Sequence, residues 1–193
     1  MTNSVTNIVA GRPKSTGGGY SAPLGTALPT DAVAALPGAA ESFGYLGDAG
    51  LQETIGRTTS PIKAWGGDTV KIVQTDFNVT YDFTLIEALS DAVNKEVYGD
   101  DNVVATGATS GHGNQLAIQV TSDPLGHKVY FFEVADGDGA VRVVVPNGQV
   151  TAVGAITYSD STVVAYPVTV TAFPDENGVQ AYKYTDDGQA TAA

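Results

Sequence analysis

The residues DTVKIVQTDFNVTYDFTL, 68–85, decide the fold class. Apolar and polar side chains alternate along them, which is the period of a β-strand with one buried face. The apolar set lies on even positions before Val73 and on odd positions from Phe77 onward. Since a strand changes phase only where an extra residue is inserted, we predict one long strand with a bulge or bend between Val73 and Asp76.

Further strands are predicted across the second half of the chain, where β-branched and aromatic residues are frequent. They cover residues 116–122, 128–135, 140–147, 149–159, 163–174 and 179–184. Two turns are predicted between them, one at Asn147-Gly148 and one at 136–139, because both carry residues typical of tight hairpins. The chain is therefore predicted to be mainly β.

One helix is predicted, over residues 84–99. Its apolar residues recur at spacings of three, four and four and form a single stripe: Ile86, Leu89, Val93 and Val97. Thr84 and Glu87 stand at capping-box spacing, and Gly99 stands where a helix commonly ends. We expect this helix to pack flat on the sheet.

The 193 residues divide into three predicted parts. Residues 1–40 contain four prolines and no sustained period, which favours an extended N-terminal arm with apolar anchors such as Tyr20; a disordered leader is the alternative. Residues 41–185 form the β-rich domain. Residues 186–193 are small and polar and are predicted to fray.

The net charge of −12 comes from 21 acidic and 9 basic side chains, and the basic ones are scattered. Binding to nucleic acid needs clustered Lys and Arg, so neither DNA nor an anionic membrane is a predicted ligand. Without cysteine the chain has no disulfide and no thiolate metal site. No signal peptide or membrane-spanning segment is recognisable, which predicts folding in a cytoplasm or export by another route.

Candidate catalytic residues are few. His112 and His127 lie in glycine-containing loops, and no G-x-S-x-G motif accompanies them. The Asp136-Gly137-Asp138-Gly139 sequence lacks the spacing of a calcium loop. We predict no catalytic, cofactor or metal site; a hydrolase that uses either histidine is the enzymatic alternative.

Trp65, the single tryptophan, has two interpretations. It would either cap the end of the sheet as a core residue or insert into a neighbouring molecule, since Trp is common at interface hot spots. Lys63 precedes it and Gly66-Gly67 follow it, so it borders a flexible loop rather than a strand interior. This context favours the interface.

Five strings of sequence resemble one known family: APLGTALPTD (22–31), IKAWGGDTVKIVQTDF (62–77), VYGDDNV (97–103), VVVPNGQVTAVG (143–154) and VTAFPDENGVQAYKYTDDG (170–188). Together, and in the same order over nearly the whole chain, they are similar to the major tail proteins, or tail tube proteins, of long-tailed phages that infect actinobacteria.

The resemblance implies a non-enzymatic virion protein without cofactors. Its fold would be two packed antiparallel β-sheets flanked by an α-helix, with an extended N-terminal arm. Hexameric rings would stack into a tube that delivers the genome, with DNA passing the lumen without specific binding. Its partners would be itself, a tape measure protein, a tail terminator and tail-tip proteins. Assembly would take place in the host cytoplasm.

Two sets of site residues follow as expectations. The candidates for contacts between subunits are Tyr20, Arg57, Lys63, Trp65 and Lys71. The candidates for acids facing the lumen, where carboxylates would repel phosphates, are Asp76, Asp82, Glu133 and Asp160. Two other functions remain open: a β-sandwich carbohydrate-binding or adhesin module, and the inner tube of a contractile injection or secretion system.

Overall fold

The computed structural model describes residues 7–15 and 17–189. The predictions for residues 1–6 of the arm and 190–193 of the tail lie outside them. The described elements are β1 (Gly19–Pro23), β2 (Glu41–Ser42), β3 (Gln52–Lys63), β4 (Thr69–Leu85), α1 (Asp91–Tyr98), a 3₁₀ turn (Asp100–Asn102), β5 (Val103–Thr106), β6 (Gln115–Ile118), β7 (Lys128–Asp136), β8 (Gly139–Val153), β9 (Tyr166–Ala172) and β10 (Tyr182–Asp186).

Eight of these strands form one sheet. Seven follow the order β2-β1-β7-β8-β9-β4-β3. The eighth, β10, pairs with the first half of β8, and β9 pairs with the second half of β8 along the same edge. Strands β5 and β6 form a separate pair. All pairings between the described strands are antiparallel. Short connections join β3 to β4 and β7 to β8, whereas β1 and β7, and likewise β4 and β9, are neighbours that lie far apart in sequence.

The large sheet folds over itself. Strands β4 and β7 are separated by β8 and β9, a distance of about 14 Å on a flat sheet. Yet the ring centroids of Tyr81 on β4 and Phe132 on β7 are 5.6 Å apart, and those of Phe83 and Phe132 are 5.4 Å apart. The two halves of the sheet therefore face each other across one aromatic core, which confirms the predicted packing of two β layers beside a helix.

The helix is shorter than predicted. Thr84 and Leu85 belong to β4 and pair with β9, and α1 begins only at Asp91, with Ser90 as its N-cap. Val93 and Val97 are buried in the core as expected, whereas Leu89 is 94% exposed. Pairing with β9 keeps the backbone extended as far as Leu85. The helical spacing of Ile86 and Leu89, which lie before the start of α1, is therefore coincidental.

The predicted phase change is confirmed. Thr58 pairs with Asp76 and Thr59 pairs with Gln74, so Thr75 is the extra residue of a bulge. The hairpin at 136–139 is also confirmed as the connection between β7 and β8.

The prediction of a turn at Asn147-Gly148 is wrong. Gly148 lies inside β8, where it pairs with Lys128 on one side and Ala172 on the other. A Cβ at this position would stand 2.7 Å from the Tyr130 ring. Gly148 therefore leaves space for the Tyr130 ring in the core and is not a turn residue.

The N-terminal segment is only partly an arm. Strand β1 is built into the sheet between β2 and β7, and Tyr20 lies in a second apolar cluster on the other face of β7, partly covered by Leu28 and Leu36. The buried Arg142 guanidinium donates to the carbonyl oxygens of Asp31, at 2.9 Å, and Ala34, at 2.7 Å. Residues 17–40 therefore pack on their own chain.

Candidate assembly surfaces

The outer halves of β3 and β4 form a projecting two-stranded hairpin, which we call the β3–β4 hairpin and define as residues 57–76. Every residue in it is exposed. Its strands extend about 20 Å, at about 3.4 Å per residue. The tip, Ala64–Asp68, is closed by a hydrogen bond from Ala64 N to Asp68 O of 2.8 Å and turns through Gly66 and Gly67, whose φ angles are 114° and 100°.

The β3–β4 hairpin exposes apolar side chains. Trp65 at the tip is 106% exposed, so it is not a core residue of its own chain. The other large apolar residues that the hairpin exposes are Ile62, Val70, Ile72 and Val73. Clustered apolar side chains on a projecting element mark a surface that other molecules cover.

The same hairpin carries basic side chains. The Arg57 guanidinium lies 4.4 Å from the centre of the Phe77 ring and donates to Gln74 Oε1 at 3.0 Å. Lys63 and Lys71 form no ion pair with any residue in the described ranges. Four of the five predicted subunit-contact residues therefore meet on one projecting element. The fifth, Tyr20, packs within its own chain.

One face of the sheet is polar and acidic. On β4 the odd-numbered residues from Val79 to Leu85 enter the core, so the even-numbered ones face away from it. Cross-strand neighbours extend this surface, which we call the polar face: Thr54 and Thr58 of β3, Asp76, Asn78, Thr80 and Asp82 of β4, Thr151 of β8, and Thr169 and Thr171 of β9.

Hydroxyl contacts hold this face together. Thr151 Oγ1 and Thr171 Oγ1 are 2.7 Å apart, and Thr169 donates a hydrogen bond to the Asp82 carboxylate. Both charged residues of the polar face, Asp76 and Asp82, are acids. The arrangement presents negative charge on a hydroxyl-rich surface.

The other two predicted lumen acids lie elsewhere. Glu133 is 4% exposed, and it is paired with the buried Arg142 and, at 3.1 Å, with Lys14 Nζ. A buried carboxylate with two cationic partners presents no free charge to a channel, so this expectation is corrected. Asp160 is exposed in the loop that joins β8 to β9 and is not part of a strand.

Sequence reasoning missed a second buried polar cluster, between α1 and the sheet. Glu96 is 3% exposed and accepts hydrogen bonds from Ser21 Oγ, Lys128 Nζ and Tyr130 Oη. Lys128 Nζ also contacts Asp100 Oδ1 at 3.0 Å. These partners lie 28 to 75 residues apart in sequence from the acids they contact, so no local pattern signals them.

This cluster shifts two pKa values in the same direction. Burial, followed by the neighbouring Glu96 carboxylate, raises the pKa of the Tyr130 hydroxyl well above its usual value. For Lys128, burial works to lower the pKa of the amine, but Glu96 and Asp100 outweigh it and the pKa is raised. Both groups therefore stay protonated, and the cluster stabilises the contact between α1 and the sheet.

No catalytic arrangement forms around the histidines. His127 Nδ1 lies 2.6 Å from Asn147 Oδ1, and its ring packs 4.8 Å from Phe173. His112 Nδ1 contacts the carbonyl of the next residue, Gly113. Within residues 7–15 and 17–189, neither histidine hydrogen-bonds a carboxylate or a hydroxyl, and no group of His, Asp and Glu side chains could hold a metal ion. That part of the chain also holds no helix of a length and apolarity that would span a membrane.

A family model described as phage tail tube protein matches residues 2–193. The chain belongs to the phage tail tube protein family. This tail tube protein is therefore a structural component of the phage tail, which self-assembles into a tube and associates with other tail components, and its family is not known for enzymatic activity.

The fold is also similar to that of a solved structure. The tail tube protein resembles the anti-feeding prophage cap, a tube-terminating cap solved by cryo-EM, with a TM-score of 0.43 and 10% sequence identity. The likeness covers 96% of this chain and 100% of that one. No curated protein matches the tail tube protein.

Proposed function

We propose that this protein forms hexameric rings that stack into the tail tube of a long-tailed phage of actinobacteria, through which the genome is delivered. The rings would assemble in the host cytoplasm around a tape measure protein, between tail-tip proteins and a tail terminator. The β3–β4 hairpin is the observation that carries the proposal. An isolated two-stranded hairpin is marginally stable in water, so one with an exposed Trp at its tip gains most from a partner.

The polar face suits the wall of the channel. Asp76 and Asp82 would repel the phosphates of passing DNA, and the threonines beside them offer neutral hydroxyls. A wall rich in Lys and Arg would bind phosphates by counterion release and hold the DNA in place. The proposed role is passive, and it requires neither catalysis nor a cofactor.

The role of the hairpin tip in assembly can be tested by replacing Trp65 with Ala. Because the indole touches no core, Trp65→Ala should fold as the parent protein does, with unchanged circular dichroism and melting temperature. Loss of an interface hot spot costs about 2 kcal/mol, so the concentration required for assembly should rise about 30-fold. Sedimentation and negative-stain electron microscopy measure this directly.

Tyr158→Ala is the matched control, since Tyr158 is an aromatic residue that is 74% exposed on a loop away from the hairpin. It should leave assembly unchanged. A parent protein that stays monomeric at every concentration would overturn the proposed function. Unchanged assembly of Trp65→Ala would remove the hairpin tip from the interface.

A further inference from the structure

We infer that the tip of the β3–β4 hairpin docks into a cleft on a second copy of the chain, with Trp65 as its anchor. The inference rests on the proposed function and names the surface that receives the tip. Three features support this choice of occupant: the shape of the cleft, its position at the opposite end of the molecule, and its charge.

The receiving surface is a cleft with a volume of about 750 Å³, which we call the glycine cleft. It lies between the N-terminal segment at residues 11–15 and 17–18 and the loop at residues 44–51, with Phe132 and Val134 among its lining residues. Among its described lining residues are six glycines: Gly11, Gly17, Gly18, Gly44, Gly47 and Gly50. Open space adjoins Gly11 and Gly50, where a Cβ would meet nothing within 4 Å, whereas at the other four glycines the chain's own side chains already lie close. Clefts of about 300 to 1,000 Å³ are typical of binding sites.

The tip and the glycine cleft lie at opposite ends of the same strand. The tip immediately precedes Thr69, the first residue of β4. At the other end, Gly47 N donates to Thr84 O at 2.8 Å and Leu46 forms a bridge with Leu85, the last residue of β4. All 17 residues of β4 lie between the tip and these contacts, which places the tip and the cleft of one chain at opposite ends of an extended strand of at most about 55 Å.

This placement makes the contact head-to-tail. A surface at one end of a molecule that fits a different surface at the other end joins copies in series, and such contacts produce open filaments when they do not close into a ring. The length of β4 then limits the repeat along the filament to about 55 Å or less. A stack of rings in a tube is a series of this kind.

Charge favours the same pairing. The hairpin holds three of the 9 basic side chains and two of the 21 acidic ones, so it is slightly positive on a chain of net charge −12. Asp48 and Glu87 line the glycine cleft, whereas its one lysine, Lys14, is already paired with Glu133 at 3.1 Å. Lys63 and Lys71 thus arrive unpaired at a surface with carboxylates.

The absence of cysteine from the chain permits a direct test by cross-linking. One protein carries Ala64→Cys at the tip, and a second carries Ala49→Cys on the loop that lines the cleft; both alanines are exposed, so neither change disturbs the core. The two are mixed, assembled and treated with a short bismaleimide. We expect a covalent dimer that contains one copy of each protein, and in the double variant a ladder of higher oligomers.

Ser159→Cys, on the exposed loop between β8 and β9 and not among the residues that line the cleft, replaces Ala49→Cys in the control mixture and should yield no dimer with Ala64→Cys. If tubes form but Ala64→Cys does not cross-link to Ala49→Cys, the glycine cleft is not the receiving surface, while the proposed function stands. If the proteins never assemble, the inference and the proposed function fail together.

Discussion

At the scale of single residues, the exposure and the sequence context of Trp65 distinguish a core residue from a residue that contacts other molecules. Its indole is fully exposed beside two glycines with positive φ, so no side chain of its own domain orients it. The core instead obtains its aromatic content from tyrosine and phenylalanine on the strands, such as Tyr81 and Phe132. The tryptophan is therefore available for contacts between molecules.

Gly148 allows a prediction at the same scale. A methyl group there would stand 2.7 Å from the Tyr130 ring and 3.0 Å from Val170, both in the core. Overpacking of this kind costs about 1 to 3 kcal/mol, so Gly148→Ala should lower the free energy of unfolding by that amount in urea titrations. Gly126→Ala, where nothing lies within 4 Å, is the control. Equal stability of both variants would show that Tyr130 and Val170 accommodate the methyl group and that packing does not require glycine at position 148.

At the scale of elements, α1 is tied to the sheet by a charged cluster as well as by Val93 and Val97. The Glu96 carboxylate accepts from groups on β1 and β7, so one side chain links three elements. Removing one member of such a cluster leaves another buried and unsatisfied, which costs more than the contact itself provides.

This cluster predicts how stability depends on pH. The pKa of Tyr130 is raised in the folded chain, so its contribution is complete below the usual tyrosine value near 10 and is lost as pH rises through the folded pKa. Lys128, whose pKa is raised from 10.5, changes stability in the same direction. Melting temperatures should therefore be stable up to about pH 10 and then fall.

Two variants isolate the contribution of Tyr130. Tyr130→Phe should flatten the decline above pH 10, although its stability at neutral pH is lower because Glu96 loses a donor. Tyr45→Phe, at a tyrosine that is 77% exposed, should follow the parent curve. A Tyr130→Phe curve parallel to the parent one would show that other groups cause the decline.

The elements also show what local sequence can and cannot predict. Alternation identified β4 and a bulge or bend between Val73 and Asp76, because the period of a strand is set by its own backbone. The start of α1 and the place of Gly148 were not predictable, since pairing of β4 with β9 and of β8 with β7 decides them. Glu133 seemed a free acid for the same reason: its partner Arg142 meets it only after β7 and β8 pair.

At the scale of the whole molecule, charge is distributed unevenly. The hairpin is slightly positive, one end of the body carries the glycine cleft with its carboxylates, and the polar face carries Asp76 and Asp82. Stacking of copies would cover the tip of the hairpin and leave the polar face open to a channel.

The polar face yields the last prediction. In Asp76→Lys/Asp82→Lys phage, the wall of the tube would bind the phosphates of DNA by counterion release, so genome ejection triggered in vitro should slow and recover as salt is raised. Asp160→Lys/Asp187→Lys makes the same change in net charge on loops outside this face and should eject at the parent rate. Micrographs of intact tails in both phages establish that folding and assembly survive. Ejection at the parent rate in low salt by the first variant would place the polar face outside the channel, since a basic wall in contact with DNA must slow it.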